Sequence, residues 1–169
     1  MKHILLLLIT IIVSFSAKAN NDAAIAYNDK IVNEQTKIGE TILSFSGNPN
    51  EFSLTQISTQ VQNSLKVLNS MKALDGNKDF LDAAKALFKF YASITKNEYK
   101  KILVLLEEKN KYSQEELTTK IDELTNSISS KEGPLDKNFQ AAQTAFAQKY
   151  GFTLTKNKLE DKIKNVTEE

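Results

Sequence analysis

The chain contains no cysteine and no tryptophan, its only histidine is His3, and all 22 of its basic residues are lysine. Each absence excludes something. Without cysteine there is no disulfide staple, no thiolate metal site and no thiol nucleophile. Without arginine, the planar fork that grips phosphate in two places is missing, and the 22 lysines are offset by 21 acids. That balance, with lysine scattered evenly along the sequence, argues against a nucleic-acid surface, which needs a basic stripe. Glycine (5) and proline (2) are scarce and clustered, which leaves long uninterrupted stretches for regular structure.

The first residues read as a secretory signal peptide. Lys2 and His3 form a short polar start, Ile4–Val13 is an apolar run broken only by Thr10, and Ala17-Lys18-Ala19 supplies the small residues a signal peptidase reads. Cleavage is expected after Ala19. The alternative, an uncleaved anchor, would need roughly 20 apolar residues to span a bilayer, and this run is shorter. No cysteine follows it to carry a lipid. The product is expected to be exported, either periplasmic or at the cell surface or secreted, with no transmembrane segment after cleavage. Losing Lys2 and Lys18 would take the formal charge from +1 to −1.

The mature chain would also lose His3, which removes the imidazole from every catalytic scheme. A Ser-His-Asp triad, ordinary zinc and haem sites, and the Glu-x-x-His pairs of a di-iron bundle cannot be built. The adjacent acids Glu107-Glu108, Glu115-Glu116, Asp122-Glu123 and Glu160-Asp161 point about 100° apart on a helix and do not converge as a glycosidase pair must. No loop has calcium ligands at alternate positions. The chain is therefore expected not to be an enzyme, with no cofactor, no metal and no catalytic residue.

Gly47-Asn48-Pro49-Asn50, Asp75-Gly76-Asn77, Gly133-Pro134 and Gly151 divide residues 20–151 into stretches in which apolar residues recur every three or four positions. The first, about 21–46, places Ala24, Ile31, Ile38, Ile42 and Phe45 on one face. The second, about 53–74, does so with Leu54, Ile57, Val61, Leu65, Leu68 and Met71. Ser53 with Gln56 reads as its capping box and Phe52 with Ile57 as its hydrophobic staple. The third, about 79–109, carries Phe80, Ala84, Leu87, Tyr91, Ile94, Ile102 and Leu105. The fourth opens on the capping box Ser113 and Glu116, with a staple of Tyr112 and Leu117. Its phase persists from Ile128 to Leu135 across Gly133-Pro134, as in one long helix kinked at Pro134 or two helices nearly in line. Gly151 suits a helix C-terminus. Residues 152–169 form a charged tail, either a short helix or mobile, and no convincing strand alternation is present. The fold class is all-α, an antiparallel four-helix up-and-down bundle with a long fourth helix.

Two features depart from this pattern. Asn28 and Gln35 fall in the core-facing register of the first helix, with Tyr27 and Glu34 beside them. A buried amide without partners costs about 1–3 kcal/mol, so these side chains read either as a network that fixes register or as a polar pocket for a small ligand. In Ile102-Leu103-Val104-Leu105-Leu106 five apolar residues wrap more than a full turn, which sends Val104 away from the face of Leu87 and Tyr91; Phe90 likewise falls on a flank. Either a neighbouring segment covers this side or it is an exposed patch for a protein partner, client or lipid. Asn165-Val166-Thr167 matches an N-glycosylation acceptor.

Ala26-Tyr27-Asn28-Asp29-Lys30-Ile31-Val32-Asn33-Glu34-Gln35 resembles the opening of a family of uncharacterised secreted and surface-associated helical-bundle proteins of Gram-negative bacteria. In that family a signal precedes a helix with Tyr-Asn followed by Ile-Val and Gln, and length and helix pattern extend the likeness over residues 20–150. The resemblance implies an exported helical bundle and brings no activity. It directs attention to Tyr27, Asn28, Asp29 and Gln35. The missing anchoring cysteine departs from its lipoprotein members. Leu54-Thr55 resembles the start of the Leu-Thr-x-x-Gln motif of small periplasmic bundle chaperones, but Ser58 stands where that motif has glutamine. Taken together, the expectation is an exported, non-enzymatic binding protein of the bacterial envelope. Its contacts would come from Tyr27, Asn28, Asp29, Gln35, Phe90 and Val104, and its partner would be a small molecule, a lipid or an envelope protein. The alternative is a holdase-type periplasmic chaperone or structural envelope protein with an exposed apolar patch.

Overall fold

The structure, a computed structural model, describes residues 12–15 and 22–156. The remainder of the expected signal peptide, the expected cleavage point after Ala19, the tail beyond 156 and the acceptor match at Asn165 lie outside the described residues. The order is β1 (Ile12–Phe15), α1 (Asp22–Gly47), α2 (Glu51–Ser70), α3 (Asp79–Lys96), α4 (Glu98–Glu107), a single 3-10 turn (Lys109–Lys111), α5 (Gln114–Tyr150) and β2 (Thr153–Lys156). The protein is all-α in character. α1 packs on α2, α2 on α3, and α3 on α5, while α4 is shared between α3 and α5. No described helix is long and apolar enough to cross a membrane.

Local chemistry explains the boundaries. α2 begins three residues earlier than the Ser53–Gln56 pairing implies. Asn50 is the N-cap: its Oδ1 accepts from the Ser53 backbone N–H at 2.9 Å, and its own N–H donates to Ser53 Oγ at 3.1 Å. Asparagine caps at least as well as serine, and here it satisfies two otherwise orphaned donors. The shift puts Phe52 in the first turn facing outward, 72% exposed, so the expected staple with Ile57 does not form. α5 opens as expected on the Ser113–Glu116 capping box. The turn between α2 and α3 uses Asp75 and Gly76, both with positive φ, the conformation that an Asp-Gly pair adopts in a two-residue reverse turn.

The third stretch is two helices rather than one. Asn97 is the C-cap of α3 and the N-cap of α4, and its Nδ2 donates back to the Ser93 carbonyl at 2.9 Å. A side chain that competes for helical acceptors disfavours continuation of the helix. The break also re-phases the apolar face. After it Tyr99, Ile102 and Leu103 are buried, while Leu105 is only half-buried.

α5 runs for 37 residues without interruption through Pro134. It ends at Gly151, which is left-handed (φ 69°) and donates to the carbonyls of Ala147 and Gln148. Phe152 then folds back: its N–H bonds the Ala147 carbonyl at 3.1 Å and its ring meets Phe146 edge-on at 6.1 Å. Such a left-handed exit satisfies the last free carbonyls. Past it, Thr153–Lys156 pairs antiparallel with Ile12–Phe15, Phe15 opposite Thr153 and Ile12 opposite Lys156. This short strand replaces the helical or mobile start expected for the tail; four residues are too few for alternation to be read from sequence.

The core is strongly aromatic. Phe45, Phe80, Phe88, Tyr91, Tyr99, Phe139 and Phe146 are fully buried. Phe80 sits 5.3 Å from Phe139 and 5.4 Å from Phe146, and Phe45 stacks on Tyr99 at 5.3 Å. Such ring pairs add roughly 0.5–1.5 kcal/mol each beyond their area.

Candidate functional site

Two regions carry more chemistry than packing requires: a polar network inside the helices and a groove on their surface.

Asn28 and Gln35 are both completely buried, as their register requires. Asn28 Oδ1 accepts from Gln143 Nε2 at 2.8 Å, which ties α1 to α5, and its Nδ2 donates to Asp29 Oδ1 at 3.2 Å. Asp29 itself is half-buried. Among the described residues the Gln35 amide has no hydrogen-bond partner at either Nε2 or Oε1. Glu34 does not join this pair. Ser64 Oγ of α2 donates to its Oε2 at 2.7 Å, and Lys37 closes on its Oε1 at 2.6 Å. Tyr27 stacks on Phe146 at 5.4 Å, with its hydroxyl buried and unpartnered. Burial, followed by the nearby Asp82 and Tyr150, pushes that phenol above its ordinary range.

The sequence reading missed the acidic part of this interior. Glu132, only 4% exposed, accepts from Tyr91 Oη at 2.8 Å. One turn on, Asp136 Oδ2 accepts from Gln140 Nε2 at 2.6 Å, while its Oδ1 has no partner. The fully buried Tyr99 hydroxyl also has none. Burial pushes the Glu132 carboxyl up to about 7, against the lowering effect of the Tyr91 hydrogen bond and with help from Asp136. Burial likewise raises Asp136 to about 6, opposed by Gln140. Tyr91 and Tyr99 lie well above the ordinary phenol range, chiefly from burial and then from the Glu132 charge. A sequence signal existed. Glu132 falls between Ile128 and Leu135 in the apolar register of α5, where an acid is out of place.

The surface region contains Val104, which is 43% exposed. It lies in an open groove of about 550 Å³ between the α3–α4 junction and the first turns of α5. Val104, Leu105 and Leu124 form its apolar floor, and Lys96, Lys100, Lys101 and Lys120 stand round it with Asn97 and Glu123. All four lysines are exposed. None of them forms an ion pair among the described residues. Lys120 also lies 5.6 Å above the Tyr112 ring. Phe90 is elsewhere. It is half-buried against the core with its ring 5.9 Å from Tyr91, and it is not among the residues that line the groove. The groove contains no pair of facing carboxylates. Val104, Leu105 and Leu124 give the groove an apolar strip, and its four lysines against Glu123 give it an excess of positive charge.

No known family model, no curated protein and no solved structure matches the chain.

Proposed function

We propose that the protein is an exported, non-enzymatic binding protein of the bacterial envelope, and that it binds through the groove at Val104. The groove is the observation that carries this reading. It joins an exposed apolar residue to a concavity within the roughly 300–1,000 Å³ range of small-molecule sites. Export is supported by the apolar run Ile4–Val13 and by Ala17-Lys18-Ala19 ahead of α1. The resemblance of the Tyr27–Gln35 segment to secreted and surface-associated helical proteins agrees with it.

In this reading the helices form an antiparallel up-and-down bundle of four limbs, α3 and α4 sharing the third. Three cross-helix pairs support the arrangement: Glu34 with Ser64, Tyr91 with Glu132, and Asn28 with Gln143. Residues 20–151 are its single domain. A bend of α5 at Pro134 belongs to the same proposal, because the proline ring offers no N–H to the Ser130 carbonyl.

Native mass spectrometry of protein purified gently from its host's envelope fraction tests the binding role. A stoichiometric extra mass, lost on denaturation and absent from Val104→Asp, is the expected result. Retention of that mass by a folded Val104→Asp protein would move the site to the interior network of Asn28 and Gln35. A second reading, a holdase-type chaperone or structural envelope protein, draws on the exposure of both Phe52 and Val104. It is distinguished by suppression of aggregation of an unfolded client, with Phe52→Ser as damaging as Val104→Asp.

A further inference from the structure

Resting on that reading of the groove, we infer that its ligand is a single-chain acidic amphiphile, an alkyl chain ending in a carboxylate, taken up as a monomer. The charge pattern carries the inference. Over the whole chain 22 lysines are nearly cancelled by 21 acids, yet the groove gathers four lysines against Glu123 alone. Lys96, Lys100 and Lys101 come from the α3–α4 junction and Lys120 from α5, so the charges converge from two sides on one apolar floor. The four ammonium groups are free of ion pairs among the described residues, and so are available to a ligand.

The other occupants fit less well. A protein interface excludes lysine from its contact surface and favours arginine and aromatics, the reverse of this lining. Nucleic acid would meet an apolar floor where it needs donors. A bilayer surface requires no concavity at all, whereas this one can enclose part of a chain. Lysine stems can lie along an alkyl chain while their ammonium groups reach its head. The three floor residues supply apolar contact for the chain itself.

The test uses the mature protein and titration calorimetry at low salt, with dodecanoate below its micelle concentration, dodecanol, and dodecyltrimethylammonium. Dodecanoate should bind and dodecyltrimethylammonium should bind at least about 10-fold more weakly, since like charges in one site repel. Dodecanol should lie between them. Shortening the acid by two carbons should weaken binding by several-fold, each buried methylene contributing up to about 4-fold. The double variant Lys100→Glu, Lys101→Glu, exposed and outside the core, should fold normally and lose acid binding by about 5-fold or more while retaining dodecanol. Equal binding of acid and cation would overturn the inference and leave the groove reading intact. Failure of all three amphiphiles would overturn both. Sedimentation with phosphatidylglycerol vesicles without dodecanoate binding would overturn it in favour of a membrane surface.

Discussion

Replacing Glu132 by glutamine should change how stability depends on pH. Glu132 is buried against Tyr91 and Tyr99 of α3 and α4, with Asp136 on its own helix and the Glu98–Lys131 pair (3.0 Å) near the same junction. Its carboxyl rises from an ordinary 4.5 to about 7 on folding. The folded state therefore holds this proton through a pH range in which the unfolded state has lost it. Stability from this group is present below about pH 4.5 and is lost as pH rises towards 7. The full difference corresponds to about 3 kcal/mol, of which about 2.5 kcal/mol falls between pH 5 and pH 8. Glutamine keeps a carbonyl to accept from Tyr91 and does not titrate. Glu132→Gln should therefore be close to neutral at pH 5 and stabilising by about 2–3 kcal/mol at pH 8. With a slope near 2 kcal/mol per molar urea, that is a midpoint shift of about 1 M at pH 8 only. Urea titrations of both proteins at the two pH values measure it. An equal effect of the substitution at pH 5 and pH 8 would refute the reasoning, since no proton would then be taken up at this site.

The two buried amides of α1 should respond oppositely. Gln35→Leu removes an amide with no partner and should leave stability unchanged or raise it by about 1–2 kcal/mol. Asn28→Leu removes the Oδ1 that accepts from Gln143 Nε2 and should cost about 1–3 kcal/mol, read with Gln35→Leu by thermal melting; a loss of stability in both would contradict the assignment of Gln35 as unpartnered. Gly151→Ala forces a Cβ into the left-handed exit of α5 and should cost about 1–2 kcal/mol, with Phe152 becoming more accessible to proteolysis nearby. Val104→Asp, on an exposed helical position, should shift the melting midpoint by no more than a few degrees while removing ligand. A large loss of stability would instead identify Val104 as core.

Signals confined to one turn of chain were legible in the sequence. Ser113 with Glu116, Asp75-Gly76 and Gly151 each specify a boundary through their own backbone preferences, and each stands where it was expected. The boundary at Asn50 differs from the one read in the sequence because Ser53 and Asn50 are both competent caps, and Ser53 serves here as the third residue of the Asn50 capping box rather than as the cap itself. The break at Asn97 is invisible to periodicity, since Ile102 and Leu105 continue the spacing of Ile94 in the sequence, although the face that is buried after the break is that of Tyr99, Ile102 and Leu103. At the groove, the outward turn of Val104 followed from five apolar residues in a row. The lysine ring did not, because Lys120 arrives from a different helix and sequence shows only scatter. Glu132 is legible only in part: its place between Ile128 and Leu135 marks it as out of register for an acid, but its partners Tyr91 and Tyr99 come from other elements.

The break at Asn97 has a mechanical consequence. At 1.5 Å per residue α5 is a strut of about 56 Å, and α3 and α4 are arms of about 27 Å and 15 Å laid against it. Asn97 joins the two arms and also lines the groove. In the proposed reading a ligand wedged between Val104 and Leu124 would push on the short arm, and its leverage would fall on the backbone of that one residue. A rotation of 10° there would carry the far end of α4 by about 2.6 Å. That displacement is large enough to re-aim Glu108 and the 3-10 turn beyond it.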